Sequence, residues 1–142
     1  MLLLEPHADS RELYVSFLRH VGLRVVAPET TDQALRFAHI ADILITGIRV
    51  NGSEDGLGLV RRVRARRSAK QLPIVVLTAC ALASDEIAAK AAGCDVFLTK
   101  PCLPGELVRT IRKLTGVRLP AHGRMAKVRL RRGTRRKRAR NA

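Results

Sequence analysis

Aromatic side chains are nearly missing from this chain of 142 residues, which has no tryptophan, one tyrosine and three phenylalanines. Apolar residues still make up 46% of it, so a core is expected, built from Leu, Ile, Val and Ala. Cysteine is also scarce. Cys80, Cys94 and Cys102 form no C-x-x-C pair, and an odd number argues against a disulfide framework. A reducing, cytoplasmic setting fits best. Long apolar runs are absent, and none approaches the roughly 18 residues of a membrane span. The apolar start Met1–Leu4 stops at Glu5 and Pro6, and it lacks the basic flank and the length of a signal peptide. His7, His20, His39 and His122 share no ligand spacing, so they predict no metal site.

Acidic residues are missing from one region in particular. The chain carries a formal charge of +15, distributed unevenly. Residues 1–115 hold 16 Lys/Arg against 12 Asp/Glu, a net of +4. Residues 116–142 hold 11 Lys/Arg and no acid, a net of +11. The expected organisation is a nearly balanced domain over 1–115 and a basic tail over 116–142. The tail has few large apolar residues and no aromatics, so it buries too little surface to offset its ordering entropy and is expected to be disordered alone. Its clusters Arg131-Arg132 and Arg135-Arg136-Lys137-Arg138 suit a phosphate backbone, through counterion release without base readout. An acidic partner or a lipid surface is a second reading, and a solvated extension without a role is the third.

The first 115 residues alternate strand and helix patterns. Leu2-Leu3-Leu4 reads as a strand. Asp9-Ser10-Arg11-Glu12 has the spacing of a capping box, opening a helix that turns Leu13, Val15, Phe17, Leu18 and Val21 inward and stops at Gly22. Arg24-Val25-Val26-Ala27 reads as a second strand. Thr30 or Thr31 caps a second helix with Ala34, Leu35, Phe37 and Ala38 on its apolar side. Ile43-Leu44-Ile45 is the third strand. The loop Asn51–Asp55 leads into a helix over about 56–67, with Leu57, Leu59, Val60 and Val63 inward and Arg61, Arg62, Arg64, Arg66 and Arg67 outward. Pro73 opens the fourth strand, Ile74–Leu77. An Ala-rich helix runs from Ser84 to near Gly93. Val96-Phe97-Leu98 is the fifth strand, and Pro104 suits the first turn of a last helix. Five β-then-α units with continuous apolar strands predict an α/β, doubly wound (βα)5 flavodoxin-like three-layer sandwich. Right-handed crossovers lead to a parallel sheet of order 2-1-3-4-5. In such sheets function gathers at the carboxyl ends of the strands, here Glu5-Pro6, Gly47, Thr78-Ala79 and Lys100-Pro101.

Those ends carry a resemblance over about residues 1–115. Lys100-Pro101 follows an apolar strand in the stretch Ala92–Pro101. Thr78, followed by a small residue, precedes it by 22 positions. Asp9–Leu13 and Asp55-Gly56-Leu57 open their helices in a familiar way. Together these resemble the response-regulator receiver domain of two-component, phosphorelay signalling. The resemblance implies a signalling module rather than an enzyme. A complete receiver holds Mg²⁺ between acidic residues after the first strand, an acceptor aspartate and a backbone carbonyl, and the metal neutralises the transferred phosphoryl group. Its lysine, its threonine and an aromatic then report the added charge.

Carried over position by position, the inventory is incomplete. Glu5 stands at the first acidic position and Pro6 at the second. Gly47 stands at the acceptor position and offers no nucleophile. Arg49 follows two residues later, either solvated or placing its guanidinium beside Glu5. Thr78, Phe97 and Lys100 are kept, with Glu5 the expected partner of Lys100. The loop from Gly47 to Gly56 is one residue longer than usual, with Asn51 near the common proline position, and Glu54 or Asp55 is the only substitute carboxylate within it. No catalytic residue and no cofactor are therefore expected, and Mg²⁺ binding is expected to be lost or weak. The leading reading is a pseudo-receiver that works by phosphorylation-independent contact with a histidine kinase or an effector, through the face of its fourth helix, fifth strand and fifth helix (α4-β5-α5). The alternative is a nucleic-acid-associated protein with a receiver-like homodimer core and a DNA- or RNA-binding tail.

Overall fold

A computed structural model describes residues 1–66, 71–79 and 82–118. The clusters at Arg131–Arg132 and Arg135–Arg138, with most of the expected tail, lie outside the described residues, as do Arg67 and Cys80. The elements are β1 (Leu2–Leu4), α1 (Ala8–His20), α2 (Thr31–Phe37) continued by a 3-10 turn (Ala38–Ile40), β2 (Leu44–Thr46), α3 (Gly56–Ala65), β3 (Ile74–Thr78), α4 (Ala83–Ala92), β4 (Val96–Thr99) and α5 (Pro104–Thr115). The four strands form one parallel sheet in the order β1-β2-β3-β4.

The alternation of side chains along each strand splits the core in two. Leu2, Leu4, Leu44, Ile74 and Val76 face α2, α3 and α4, where they meet Leu35, Leu59, Val60, Val63 and Ala89. Leu3, Ile43, Ile45, Val75 and Leu77 face α1 and α5, where they meet Tyr14, Leu18, Leu107, Val108 and Ile111. Helices therefore cover both faces, which is why these strands are apolar at every position rather than at alternate ones. Tyr14 places its polar end by donating a hydrogen bond to the Cys102 carbonyl at 2.9 Å, as a buried phenol must.

Several expectations need correction. Among the described residues the sheet proper has four strands, not five. Arg24–Ala27 makes a single parallel bridge, Leu2 with Val26, with Val26 N–H on Met1 O and Leu3 N–H on Val26 O, both at 3.0 Å. This segment lies on the outer side of β1, and Pro28 follows at once, with no N–H to extend a ladder. The capping box at Asp9 does not form. The N-cap of α1 is His7, without a side-chain cap, and Asp9 lies already inside the helix. Leu13 is 58% exposed and Phe37 39%. Tyr14 takes the inward position that Leu13 was expected to hold.

Arg64 also departs from the outward face assigned to it. Its guanidinium bonds the Gly93 carbonyl at 2.9 Å, the Leu72 carbonyl at 2.6 Å and Asp95 Oδ2 at 2.8 Å. It thus ties α3 to the turns flanking β3 and β4. Other local readings match their elements. Thr30 caps α2 through Gln33 N–H, Gly93 ends α4 in the left-handed conformation, and Pro104 opens α5.

Candidate functional site

β1 is followed by α1 on one face of the sheet, whereas β2 is followed by α3 on the other. The two connections diverge and leave a crevice above the carboxyl ends of the strands, where doubly wound folds place their ligands. A cleft of about 330 Å³ opens there, lined by Pro6, His7, Gly47, Ile48, Arg49, Leu77, Thr78, Ala79 and Lys100.

Glu5 lies at its base and is 2% exposed. Each carboxylate oxygen has a donor: Oε2 accepts from Lys100 Nζ at 2.6 Å and Oε1 accepts from His7 N–H at 3.0 Å. The Glu5 carbonyl also accepts from Arg11 Nη1 at 3.2 Å. Glu5 thereby holds the N-cap residue of α1 through its N–H and the first turn through the Arg11 side chain. Lys100 is positioned by its own backbone, whose N–H donates to the Thr78 carbonyl at 2.8 Å. Its side chain remains 18% exposed, so the pair spans from the interior to the cleft. Such a pair need not add much net stability, but removal of one partner strands a buried charge.

Gly47 is buried between the strand ends, with its N–H on the Leu4 carbonyl at 3.1 Å. Its backbone does not lie in the left-handed region. A Cβ there would meet Val50 Cγ1 at 3.4 Å, Leu77 O at 3.5 Å and Pro6 Cδ at 3.6 Å, all ordinary contacts. Neither conformation nor space forces glycine at this position. Gly56 is different, because a Cβ there would overlap the Gly47 carbonyl oxygen. That close approach holds the long loop against the strand end, along with the Gly56 N–H bond to Ile48 O at 2.7 Å.

The carboxylates of this loop are committed elsewhere. Asp55 Oδ1 caps α3 through Gly58 N–H at 2.7 Å, and Glu54 pairs with Arg62 at 3.0 Å. Asp32 clips the loop from α2, accepting from Ser53 N–H at 3.1 Å and Ser53 Oγ at 2.7 Å. Those bonds lower the Asp32 pKa, the Ser53 hydroxyl contributing most. Neither Glu54 nor Asp55 lines the cleft.

Of the residues singled out from the sequence, Glu5, Pro6, Gly47, Arg49, Thr78 and Lys100 converge at this edge. The cation on Glu5 is Lys100, while Arg49 stands exposed at the rim. Phe97 does not line the cleft. It sits half-buried on the face that packs against α3 and α4. His7, Ile48, Leu77 and Ala79 also line the cleft and were not singled out. For His7, direct succession to Glu5-Pro6 was the available signal. The described thiols supply no nucleophile: burial raises Cys94 and pushes Cys102 up to about 11.

The Response regulator receiver domain model matches residues 1–112. The chain belongs to the response-regulator receiver family. Among curated proteins it is 31% identical over 119 residues to Response regulator Rre1 of Synechocystis, covering 80% of this chain and 50% of that one. It is 30% identical to an uncharacterised 14.6 kDa protein of Leptolyngbya boryana, covering 80% of this chain and 87% of that one. It is 26% identical to the phosphate regulon regulator PhoB of Escherichia coli, of which it spans 49%. The chain thus spans about half the length of Rre1 and PhoB. Among solved structures, the receiver domain of the sensor kinase PA1611 from Pseudomonas aeruginosa, crystallised with a coordinated magnesium ion, superposes with a TM-score of 0.74. It has 30% identity and covers 82% of this chain and 96% of that one.

This receiver is a signalling module rather than an enzyme of the usual kind, and no described helix is long and apolar enough to cross a membrane. The residues at its edge do not fit Mg²⁺. That ion needs several oxygens in near-octahedral array. Pro6 and Gly47 offer no side-chain oxygen, and both oxygens of Glu5 are engaged by Lys100 and His7.

Proposed function

We propose that this chain is a pseudo-receiver in two-component signalling, acting by protein contact without phosphorylation. One observation carries the reading: the acceptor position is Gly47, and Glu5, the carboxylate at the base of the cleft, is bound to Lys100 at 2.6 Å. Lys100 is thus neutralised inside the chain, where a phosphoryl group would otherwise draw it. The contact surface we assign is α4, β4 and α5, the face anticipated above as α4-β5-α5. There Leu82, Ile87 and Leu103 stand 67%, 69% and 73% exposed, and β4 is only partly covered. Its partner would be a histidine kinase or an effector.

Incubation with Mg²⁺ and a small phosphoryl donor, followed by intact mass, tests the reading. The expected mass is unchanged, and a stable phosphorylated species overturns it. Pro6→Asp with Gly47→Asp restores two carboxylates where the Gly47 backbone has room for a Cβ. This double variant is expected to bind Mg²⁺ and to take the phosphoryl group. If it stays inert, Thr78 and Lys100 do not hold receiver geometry.

A second reading rests on the net charge of +11 over residues 116–142. In it the tail binds nucleic acid and the domain serves as a homodimer core. Mobility shifts with and without residues 117–142 separate the two. No salt-sensitive binding by the full chain removes the nucleic-acid reading.

A further inference from the structure

The cleft over Gly47 is cationic. Arg49 and Lys100 line it, His7 adds an imidazole and Thr78 a hydroxyl, and no carboxylate is among the lining residues. The acid tied to it is Glu5, at its base, already bound to Lys100. Lys100 is paired with Glu5, so of the two lining cations Arg49 is the one with no ion pair among the described residues, a single positive charge offered to the cleft. A Cβ at Gly47 would make only ordinary contacts, at 3.4–3.6 Å, and the cleft holds about 330 Å³.

We infer that this cleft is a receptor for one carboxylate brought from outside the chain. The inference rests on the pseudo-receiver reading in one respect: the cleft has no carboxylate of its own at position 47. Three features choose this ligand. A single excess positive charge matches a monoanion. A phosphate dianion would overshoot that charge and would face Glu5 with no metal to offset it. The guanidinium of Arg49, at the exposed rim, offers the planar fork that fits a carboxylate with two parallel hydrogen bonds. The carboxylate could come from an Asp or Glu side chain of a partner protein or from a free small acid. Both sources would place the same group between Arg49 and Lys100.

Amide NMR of the full-length chain tests this. One arm titrates with sodium acetate. A second uses a short, end-blocked peptide carrying a single Asp among neutral residues. Sodium chloride at matched ionic strength is the control. Acetate is expected to shift Gly47, Ile48, Arg49, Ala79 and Lys100 with saturation, in the millimolar range. Arg49→Gln, at an exposed site, weakens the response by about tenfold. Gly47→Ala keeps the response, whereas Gly47→Asp abolishes it by placing a carboxylate in the cleft. A peptide that binds tighter than acetate assigns the source to a partner protein, and equal binding assigns it to a free acid. Either result supports the receptor. The inference is overturned if acetate moves none of these amides, if Gly47→Asp responds as the native chain does, or if inorganic phosphate binds there more tightly than acetate. Phosphorylation of the native chain by a donor would defeat the pseudo-receiver reading separately, by a different measurement.

Discussion

The two sides of the cleft have fared differently. On the β1–β2 side, Pro6 and Gly47 leave Glu5 as the one carboxylate. On the β3–β4 side, Thr78 and Lys100 both line the cleft, with a hydroxyl and a cation. Yet the strands of both sides are paired without a break. β1 pairs β2 in continuous register from Leu2 with Leu44 to Leu4 with Thr46, as β3 pairs β4 from Val75 with Val96 to Thr78 with Thr99. The difference teaches that the fold and the chemistry rest on different atoms here. Backbone bonds and inward apolar side chains hold the strand ends, and neither depends on the side-chain oxygens that project beyond them. The internal bond from Lys100 to Glu5 joins the two sides and keeps the remaining charge satisfied.

Substitutions on each side can break or sharpen this contrast. The largest effect is expected at Gly56, where Gly56→Ala sets a Cβ against the Gly47 carbonyl and overpacks the β1–β2 side. A loss of about 3 kcal/mol in urea unfolding is expected, whereas Gly47→Ala, whose Cβ would meet only ordinary contacts at 3.4–3.6 Å, should cost much less. Equal costs would refute the view that position 47 tolerates a side chain. Next comes Lys100→Ala, which leaves Glu5 buried without its cation. The expected loss is about 2 kcal/mol, below the roughly 3–5 kcal/mol of a fully buried pair because Lys100 is partly exposed. Glu5→Gln together with Lys100→Ala should recover part of it in a double-mutant cycle, and strict additivity would mean that the two sides are not coupled.

The smallest effect concerns the loop clip. The Asp32 carboxyl titrates below its ordinary 3.8 because Ser53 donates to it. A lowered folded pKa contributes stability that is fully present above 3.8 and lost as pH falls through the folded value. Ser53→Ala should therefore raise the Asp32 titration seen by NMR toward its ordinary value. It should reduce stability slightly at neutral pH and leave it unchanged once Asp32 is protonated. An unmoved Asp32 would show that the clip does not form in solution.

Much of the architecture was legible in residue order. Apolar runs located four strands, and Thr30, Gly93 and Pro104 marked helix ends through local chemistry. The misses share a cause, since local pattern could not see a distant competitor. Asp9-Ser10-Arg11-Glu12 had the spacing of a cap, but the helix begins earlier, at Ala8, and the Arg11 N–H is already bonded to the His7 carbonyl. Arg64 read as one of a solvated row until the turns around Leu72 and Gly93 presented unpaired carbonyls. Arg24–Ala27 had strand composition, but Pro28 and an edge position reduced it to one bridge. At the site, Glu5, Gly47, Thr78 and Lys100 were legible as strand ends, whereas the place of His7 in the cleft was not.

The sequence by itself determined which groups are missing, because a glycine and a proline carry no side-chain oxygen in any fold. It also determined the alternating pattern that makes a covered parallel sheet the economical way to bury these strands. Only the tertiary structure decided what became of the groups that remain. The pairing of Lys100 with Glu5 was expected from the sequence, and folding closes it at 2.6 Å across 95 residues of chain; the fold alone gave the loop carboxylates to α3 and Arg62 and left Arg49 at the rim of a cationic cleft. Those outcomes depend on distances between residues far apart in order, and an ion pair exists only where folding brings its two charges within a few ångströms.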